Sequence, residues 1–400
     1  MSEQGKPFVL YASINQDRTC ITVGTTEGFQ VISNPFDKPY VFRHGKHPHT
    51  NTNNNIHHTN IYTHTMTTHH PYSSSQSLSH FCFHFNTIHT HKKEFGRGIG
   101  IAEILGETNI VGLVGGGEFP EFPNDQVVFW DLKKGAEAEA DRLMLSKPVL
   151  SLKLTREWAV IGTEKGIYVA RMDCTKVVKK VSLGGSMEKG PQWPPTHISV
   201  TWTSPMFVAG GGMEVVLVEK GKEEKADEMC LAEKRFEHKE GVGCSAVSPD
   251  GEHYVTATKD GKKIRVFNCA SGAKEAELDR GKDPVTIKSL TFSPDSSLVA
   301  ISSSSSTIHV FSSGVGKCKK YSWWGREYVG YCNIKECGKN SWVHFGKEAE
   351  VRRKEVRYQL HVVEVGGAYR AYDVVVEDDW KISIMKRVGS GGCCFESAKK

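Results

Sequence analysis

Few residues in this 400-residue chain have the type and spacing that chemistry needs. Twelve of the 18 histidines fall between residues 44 and 91. A tract so rich in imidazole can ligate metal. Its spacing is irregular, however, and it has no cysteine partners and almost no charge among its Thr, Asn and Ser residues, so it reads as a disordered insertion. A CA-rich nucleotide repeat or a retained intron would encode the same composition. Gly115-Gly116-Gly117 and Gly210-Gly211-Gly212 could approach a phosphate. Neither fits GxGxxG or GxxxxGK[ST], and neither opens a helix, so both are read as tight turns between strands. With no metal triad and no nucleophile elbow, the expectation is a protein that is not an enzyme and uses no cofactor and no metal.

The 11 cysteines are scattered. Cys332 and Cys337 lack a matching pair, and Cys393–Cys394 are adjacent. Reduced thiols in the cytosol are expected. The opening MSEQGKPFVLYASINQD lacks a signal-peptide pattern, and no apolar run approaches the ~18 residues of a spanning helix. The net charge of +5 suits an acidic partner such as a phospholipid surface without demanding one, since most proteins with this charge simply have a solvated surface.

The elements that would carry any site are short, β-prone and repeated. Ser248-Pro249-Asp250-Gly251 is followed by Tyr254–Thr258 and Ile264–Phe267; Ser293-Pro294-Asp295-Ser296 is followed by Leu298–Ser302 and Ile308–Phe311. The Ser-Pro-Asp elements lie 45 residues apart and the Val-Phe elements 44, the period of a propeller blade. Ser-Pro-Asp-Gly is turn chemistry, and each run after it is a strand. Weaker copies occur at Cys20–Gly24 and Gly28–Ile32, at Val127–Asp131, at Leu150–Ala170 and at Ile198–Val218. Long helical periodicity is absent. A repeat of strands without helices argues for closure into a ring. The fold class expected is all-β, a seven-bladed β-propeller of WD-repeat type over 8–43 and 92–380, with 44–91 as a low-complexity insertion and 381–400 as a C-terminal tail.

Several segments resemble the PROPPIN family, the phosphoinositide-binding WD-repeat propellers of autophagy. They are Ser13–Asp17 with Val23–Phe29, Gly98–Glu103 with Thr108–Gly117, Asn124–Lys134, and above all 238–311. Gly367–Tyr372 resembles the family's last blade. The resemblance implies a membrane-recruited scaffold that binds phosphatidylinositol 3-phosphate or 3,5-bisphosphate. The family's Phe/Leu-Arg-Arg-Gly signature reads Leu278-Asp279-Arg280-Gly281 here, with aspartate in place of the first arginine.

In the family the two arginines serve two lipid pockets. The chemistry fits, because a guanidinium grips two phosphate oxygens at once and stays charged, while hydroxyls and a histidine complete the shell. By resemblance the second pocket uses Arg280, Ser303, Thr307 and His309. The first uses His238, Thr258, Lys262 and Arg265, where Asp279 would repel an anion and Lys262 would partly offset it. The family also inserts a loop of blade 6 into the bilayer. Here the connection after Phe311 reads as short, Ser312 through Trp324. Its Lys319, Lys320, Trp323 and Trp324 suit a membrane interface or, for the tryptophans, the propeller wall.

Family members recruit a large lipid-transfer protein through loops around blades 2 and 3, and the matching loop here carries Phe119 and Phe122, either as a docking edge or as a rigid turn. A monomer without nucleic-acid partners is expected, cytoplasmic and recruited to autophagosome-precursor or endosomal and vacuolar membranes. The competing reading is a propeller scaffold that binds only proteins.

Overall fold

The computed structural model describes residues 7–33, 90–138, 142–172, 176–182, 197–201, 206–211, 213–220, 231–315, 321–323, 326–328, 331–335, 337, 339–352, 355–377 and 381–386. They form seven antiparallel four-stranded sheets arranged as the blades of a propeller, with one extra strand pair in blade 6 and a short fifth strand in blade 2. Among the described residues there is no helix.

Blade 1 runs from Val9–Ile14 through Cys20–Thr25 and Gly28–Ser33 to Thr90–Glu94, and blade 2 from Ile99 to Met144. Blade 3 spans Val149–Val181, blade 4 His197–Glu237, blade 5 Val242–Asp279, blade 6 Ile287–Ile334 and blade 7 Trp342–Lys386.

The turn chemistry read from the sequence is visible atom by atom. In blade 5 the Ser248 hydroxyl accepts the His253 N–H at 2.9 Å; in blade 6 Ser293 accepts Leu298 N–H at 2.9 Å. Each serine also donates to the aspartate two residues on. The fourth turn residue is left-handed in both, Gly251 at φ 75° and Ser296 at φ 63°. Arg18 takes the same place after Asn15, at φ 61°. A non-glycine residue is uncommon there. The first strand pair of blades 1, 2, 3, 5 and 6 also shares a register irregularity at the start of the first strand. These blades are therefore copies in detail.

The core lies between blades. Val255, Ile264 and Leu278 of blade 5 pack with Leu290, Phe292 and Ile301 of blade 6 in one buried cluster. The ring closes the same way: Val9, Ile21 and Val23 of blade 1 share a cluster with Val363, Tyr369 and Ala371 of blade 7, and the Val9 N–H donates to the Val365 carbonyl at 2.9 Å. The innermost strands surround an axial channel of about 1120 Å³. Beside it Glu103, with no solvent exposure, accepts from Tyr11 and Lys153, tying blades 1, 2 and 3 together.

Three sequence boundaries move. The histidine-rich tract lies outside the described residues except at its end, where Thr90 and His91 begin the outer strand of blade 1 and pair with Ile32 and Val31. That pairing makes the tract a connection between two adjacent strands. Blade 7 ends on Ile382–Lys386, paired to Tyr372–Val376, so the propeller runs past residue 380. The third strand of blade 6 pairs with Tyr331–Ile334, so the connection runs from 313 to 330 and holds the strand pair Tyr321–Trp323 and Arg326–Tyr328. It is longer than the sequence reading gave it. A partner strand that follows a hairpin cannot be located by local pattern alone.

Candidate anion pockets on blades 5 and 6

The repeat builds two equivalent clefts. Each is framed by the residue leaving one blade, the turn before the third strand of the next blade, and that third strand. In the first cleft these parts supply His238, Thr258 with Lys262, and Arg265. In the second they supply Arg280, Ser303 with Thr307, and His309. In each quartet the entry residue neighbours the third-strand residue, Arg265 acting on His238 and Arg280 on His309 through their charges. The two entry residues are held alike: the His238 N–H donates to Met213 O at 2.7 Å and the Arg280 N–H to Lys262 O at 2.8 Å.

The first cleft is neutralised from within. Arg265 Nε donates to Glu277 at 2.9 Å and its Nη2 to Glu240 at 2.7 Å. Burial alone would lower the Arg265 pKa, but these two carboxylates outweigh it and raise it. Glu277 also meets Lys263 at 2.7 Å and Lys274 at 2.9 Å, and those bonds hold its own pKa down at about 2. The Thr258 hydroxyl donates to Asp260 at 2.7 Å and accepts the Lys263 N–H at 3.1 Å, so it caps the turn. Lys262 Nζ lies 3.6 Å from the other Asp260 oxygen. Asp279 stands opposite Lys263 in the strand register and adds a further negative charge. His238 is buried edge-on against Phe267, with centroids 4.8 Å apart. Burial, then the charge of Arg265, pushes its pKa down to about 4.

The second cleft is built differently. Its turn carries hydroxyls where blade 5 has Asp260: Ser303 Oγ lies 2.8 Å from Ser305 Oγ. Arg280 is half-buried, and its guanidinium is held by backbone. Nε donates to the Gly261 carbonyl at 2.6 Å and Nη2 to the Asp283 carbonyl. Burial lowers its pKa, with Asp283 and Asp260 acting the other way. Being clamped by carbonyls leaves the guanidinium aimed without neutralising it, as an anion site requires. His309 is buried, and burial followed by the Arg280 charge pushes its pKa down to about 4. Thr307 is half-buried in the turn that leads into the third strand of blade 6.

Sequence reasoning missed Glu240, Glu277 and Tyr331. Glu277 had a signal, since Lys274–Asp279 alternates and puts 277 and 279 on the exposed face with the cations. Of the other residues singled out, Phe119 is exposed at 70%. Phe122 corrects the reading of an exposed pair: it is buried and meets Phe95 edge-on at 5.7 Å. Trp323 lies in the short strand Tyr321–Trp323, while Lys319, Lys320 and Trp324 lie outside the described residues.

Comparison with known proteins gives a consistent result. The PROPPIN family model matches residues 122–325. "SVP1-like protein 2" of Emericella nidulans is 30% identical over 214 residues, 52% of this chain and 61% of that protein. "Autophagy-related protein 18" of Yarrowia lipolytica is 22% identical over 315 residues, 75% of this chain and 65% of that protein. The chain thus spans less than two thirds of the length of these relatives. Among solved structures, Kluyveromyces lactis Hsv2 superposes with a TM-score of 0.62 at 15% identity, covering 96% of this chain and 98% of that one. At that identity the likeness concerns the fold.

Proposed function

The chain belongs to the PROPPIN family, and from that premise we propose that it is a phosphoinositide-binding membrane scaffold with one working lipid pocket, built on Arg280. The observation that carries this reading is the contrast between the clefts. Arg265 is spent on two carboxylates, whereas Arg280 is held by carbonyl oxygens and keeps its charge for a ligand. Arg280, Ser303, Thr307 and His309 would bind the 3-phosphate of phosphatidylinositol 3-phosphate or 3,5-bisphosphate by charge-assisted hydrogen bonds. The chain would act in autophagosome formation as a recruited scaffold and not as an enzyme. The 313–330 connection, with its lysines and tryptophans, would lie toward the bilayer. Phe119 would dock a lipid-transfer protein.

One pocket implies weak, salt-sensitive binding. Two pockets on a rigid body raise avidity by roughly 10²–10⁴ over one, and surface charge is screened within about 8–10 Å at physiological salt. The test is flotation with vesicles that carry or lack 3-phosphate lipid, with wild type and Arg280→Ala. Binding by wild type that needs the 3-phosphate and is lost in the variant supports the reading. A wild type indifferent to the 3-phosphate favours a scaffold that binds only proteins, for which the neutralised first cleft is the supporting observation.

A further inference from the structure

Tyr331 is not among the residues that the resemblance assigns to a lipid pocket. It is the first residue after the 313–330 connection and opens the outer strand of blade 6. Its phenol oxygen lies 2.9 Å from His309 Nδ1 and accepts from Asn333 Nδ2 at 3.0 Å. Tyr331 pairs with Phe311 in the strand register, and Asn333 pairs with His309. The imidazole is stacked on Phe311 at 6.0 Å and on Tyr331 at 5.8 Å. Ring position and hydrogen bond are therefore fixed together.

The geometry suits one arrangement of protons. A phenol has one proton to give. The Asn333 amide donates to the phenol oxygen and leaves the phenol's own proton to be given, with His309 Nδ1 in reach of it at 2.9 Å. An uncharged imidazole that accepts at Nδ1 carries its proton on Nε2, since the hydrogen bond at one nitrogen sets the tautomer at the other. His309 stays uncharged because burial and the neighbouring Arg280 disfavour the imidazolium.

We infer that Tyr331 is a positioning residue of the Arg280 pocket, which holds His309 as the Nε2–H tautomer so that the imidazole meets a phosphate oxygen as a donor. The inference rests on the lipid reading above for its ligand class, a phosphomonoester. The geometry has a functional logic. Phosphate oxygens at neutral pH are acceptors, and the opposite tautomer would present a lone pair to them. The Asn333–Tyr331–His309 chain supplies a donor without a second buried charge beside Arg280. Because Tyr331 directly follows the 313–330 connection, a shift of that connection would be felt at His309.

The test has two independent arms on the full chain. In the first, histidine labelled with ¹⁵N is examined by long-range ¹H–¹⁵N correlation without lipid. Wild type should show His309 with its proton on Nε2, and Tyr331→Phe should show a mixture of tautomers. Phenylalanine keeps the tilted ring contact with Phe311, and Tyr331 is 45% exposed, so the fold tolerates the change. In the second arm, vesicles containing phosphatidylinositol 3-phosphate are titrated. Tyr331→Phe should bind roughly three- to tenfold more weakly, the scale of one ordinary hydrogen bond. In a His309→Gln background, whose amide nitrogen supplies the donor without a tautomer, Tyr331→Phe should have no further effect. A wild type with the proton on Nδ1, an unchanged tautomer in Tyr331→Phe, or an equal loss in the glutamine background overturns the inference. A wild type that ignores these vesicles overturns the lipid reading instead, and the first arm still reports on the tautomer.

Discussion

Arg280 and His238 hold the same place in successive blades, each with its backbone N–H closed onto the turn of the blade before it, at 2.8 and 2.7 Å. One position carries a permanent cation. The other carries an imidazole whose pKa is pushed down to about 4, so it is neutral at cellular pH. Substitution within the repeat thus puts a cation at only one of these two positions. Arg280→Ala should therefore reduce 3-phosphate-dependent vesicle binding by about tenfold or more, the loss of a bidentate charged contact. Isothermal titration with a soluble phosphoinositide headgroup would measure the same loss without a membrane.

Asp279→Arg should strengthen vesicle binding a few-fold, in a salt-sensitive way, by removing an anion and adding a cation. Stoichiometry should stay at one lipid per chain, because Glu277 and Glu240 still hold Arg265. Adding Glu277→Gln and Glu240→Gln should release Arg265 and bring a second lipid. Two lipids bound by wild type would show that the first cleft works as it stands.

Stability should fall in mild acid. His238 and His309 are depressed from 6.5 to about 4 in the folded chain. Above pH 6.5 neither state holds the extra proton. As pH falls from about 6.5 toward 4, the unfolded chain takes protons that the folded chain refuses, and stability is lost across that window. By pH 5 the loss is up to about 2 kcal/mol per histidine. Urea midpoints at about pH 7 and pH 5 would record it, and His309→Asn should flatten the slope.

Phe119 and Phe122 should separate cleanly. Phe122→Ala empties a buried site against Phe95 and should cost roughly 3–5 kcal/mol. Phe119→Ala should leave the thermal midpoint unchanged, because the ring is 70% exposed. Only Phe119→Ala can test docking of a protein partner; recovery of the proposed lipid-transfer partner that matches wild type would remove Phe119 from the interface.

Lys153→Ala should be among the most damaging single changes. It leaves the Glu103 carboxylate buried without its cation, a loss on the order of 3–5 kcal/mol. Glu103→Gln together with Lys153→Met should recover much of it, as read by chemical unfolding.

The blades were legible because turn and strand signals are local. Ser248 and Ser293 announce the same turn, and the structure shows both hydroxyls making the same bond. The equivalence of His238 with Arg280, and of Arg265 with His309, was legible for a related reason, since a fixed repeat carries equivalent positions to equivalent places. What escaped is what depends on side chains meeting across strands. Glu277 reaches Arg265 from the neighbouring strand, and Tyr331 reaches His309 after a long connection whose end no local pattern marks. Phe122 was misread because an aromatic beside prolines looks like an exposed loop, whereas Phe95 and Trp130 form an aromatic wall that receives it.

The seam between blades 1 and 7 has a consequence for biosynthesis. Among the described residues no strand is exchanged across it; Val9, Ile21 and Val23 simply wait for Val363, Tyr369 and Ala371. On the ribosome, blade 1 is made first and its seam partner last, so its apolar flank stays open while the five blades between them are translated. Translation at about 5–20 residues per second makes that wait tens of seconds. A nascent chain stalled before blade 7 would present this flank as an adhesive surface, so the last blade to emerge decides whether the earlier ones stay soluble.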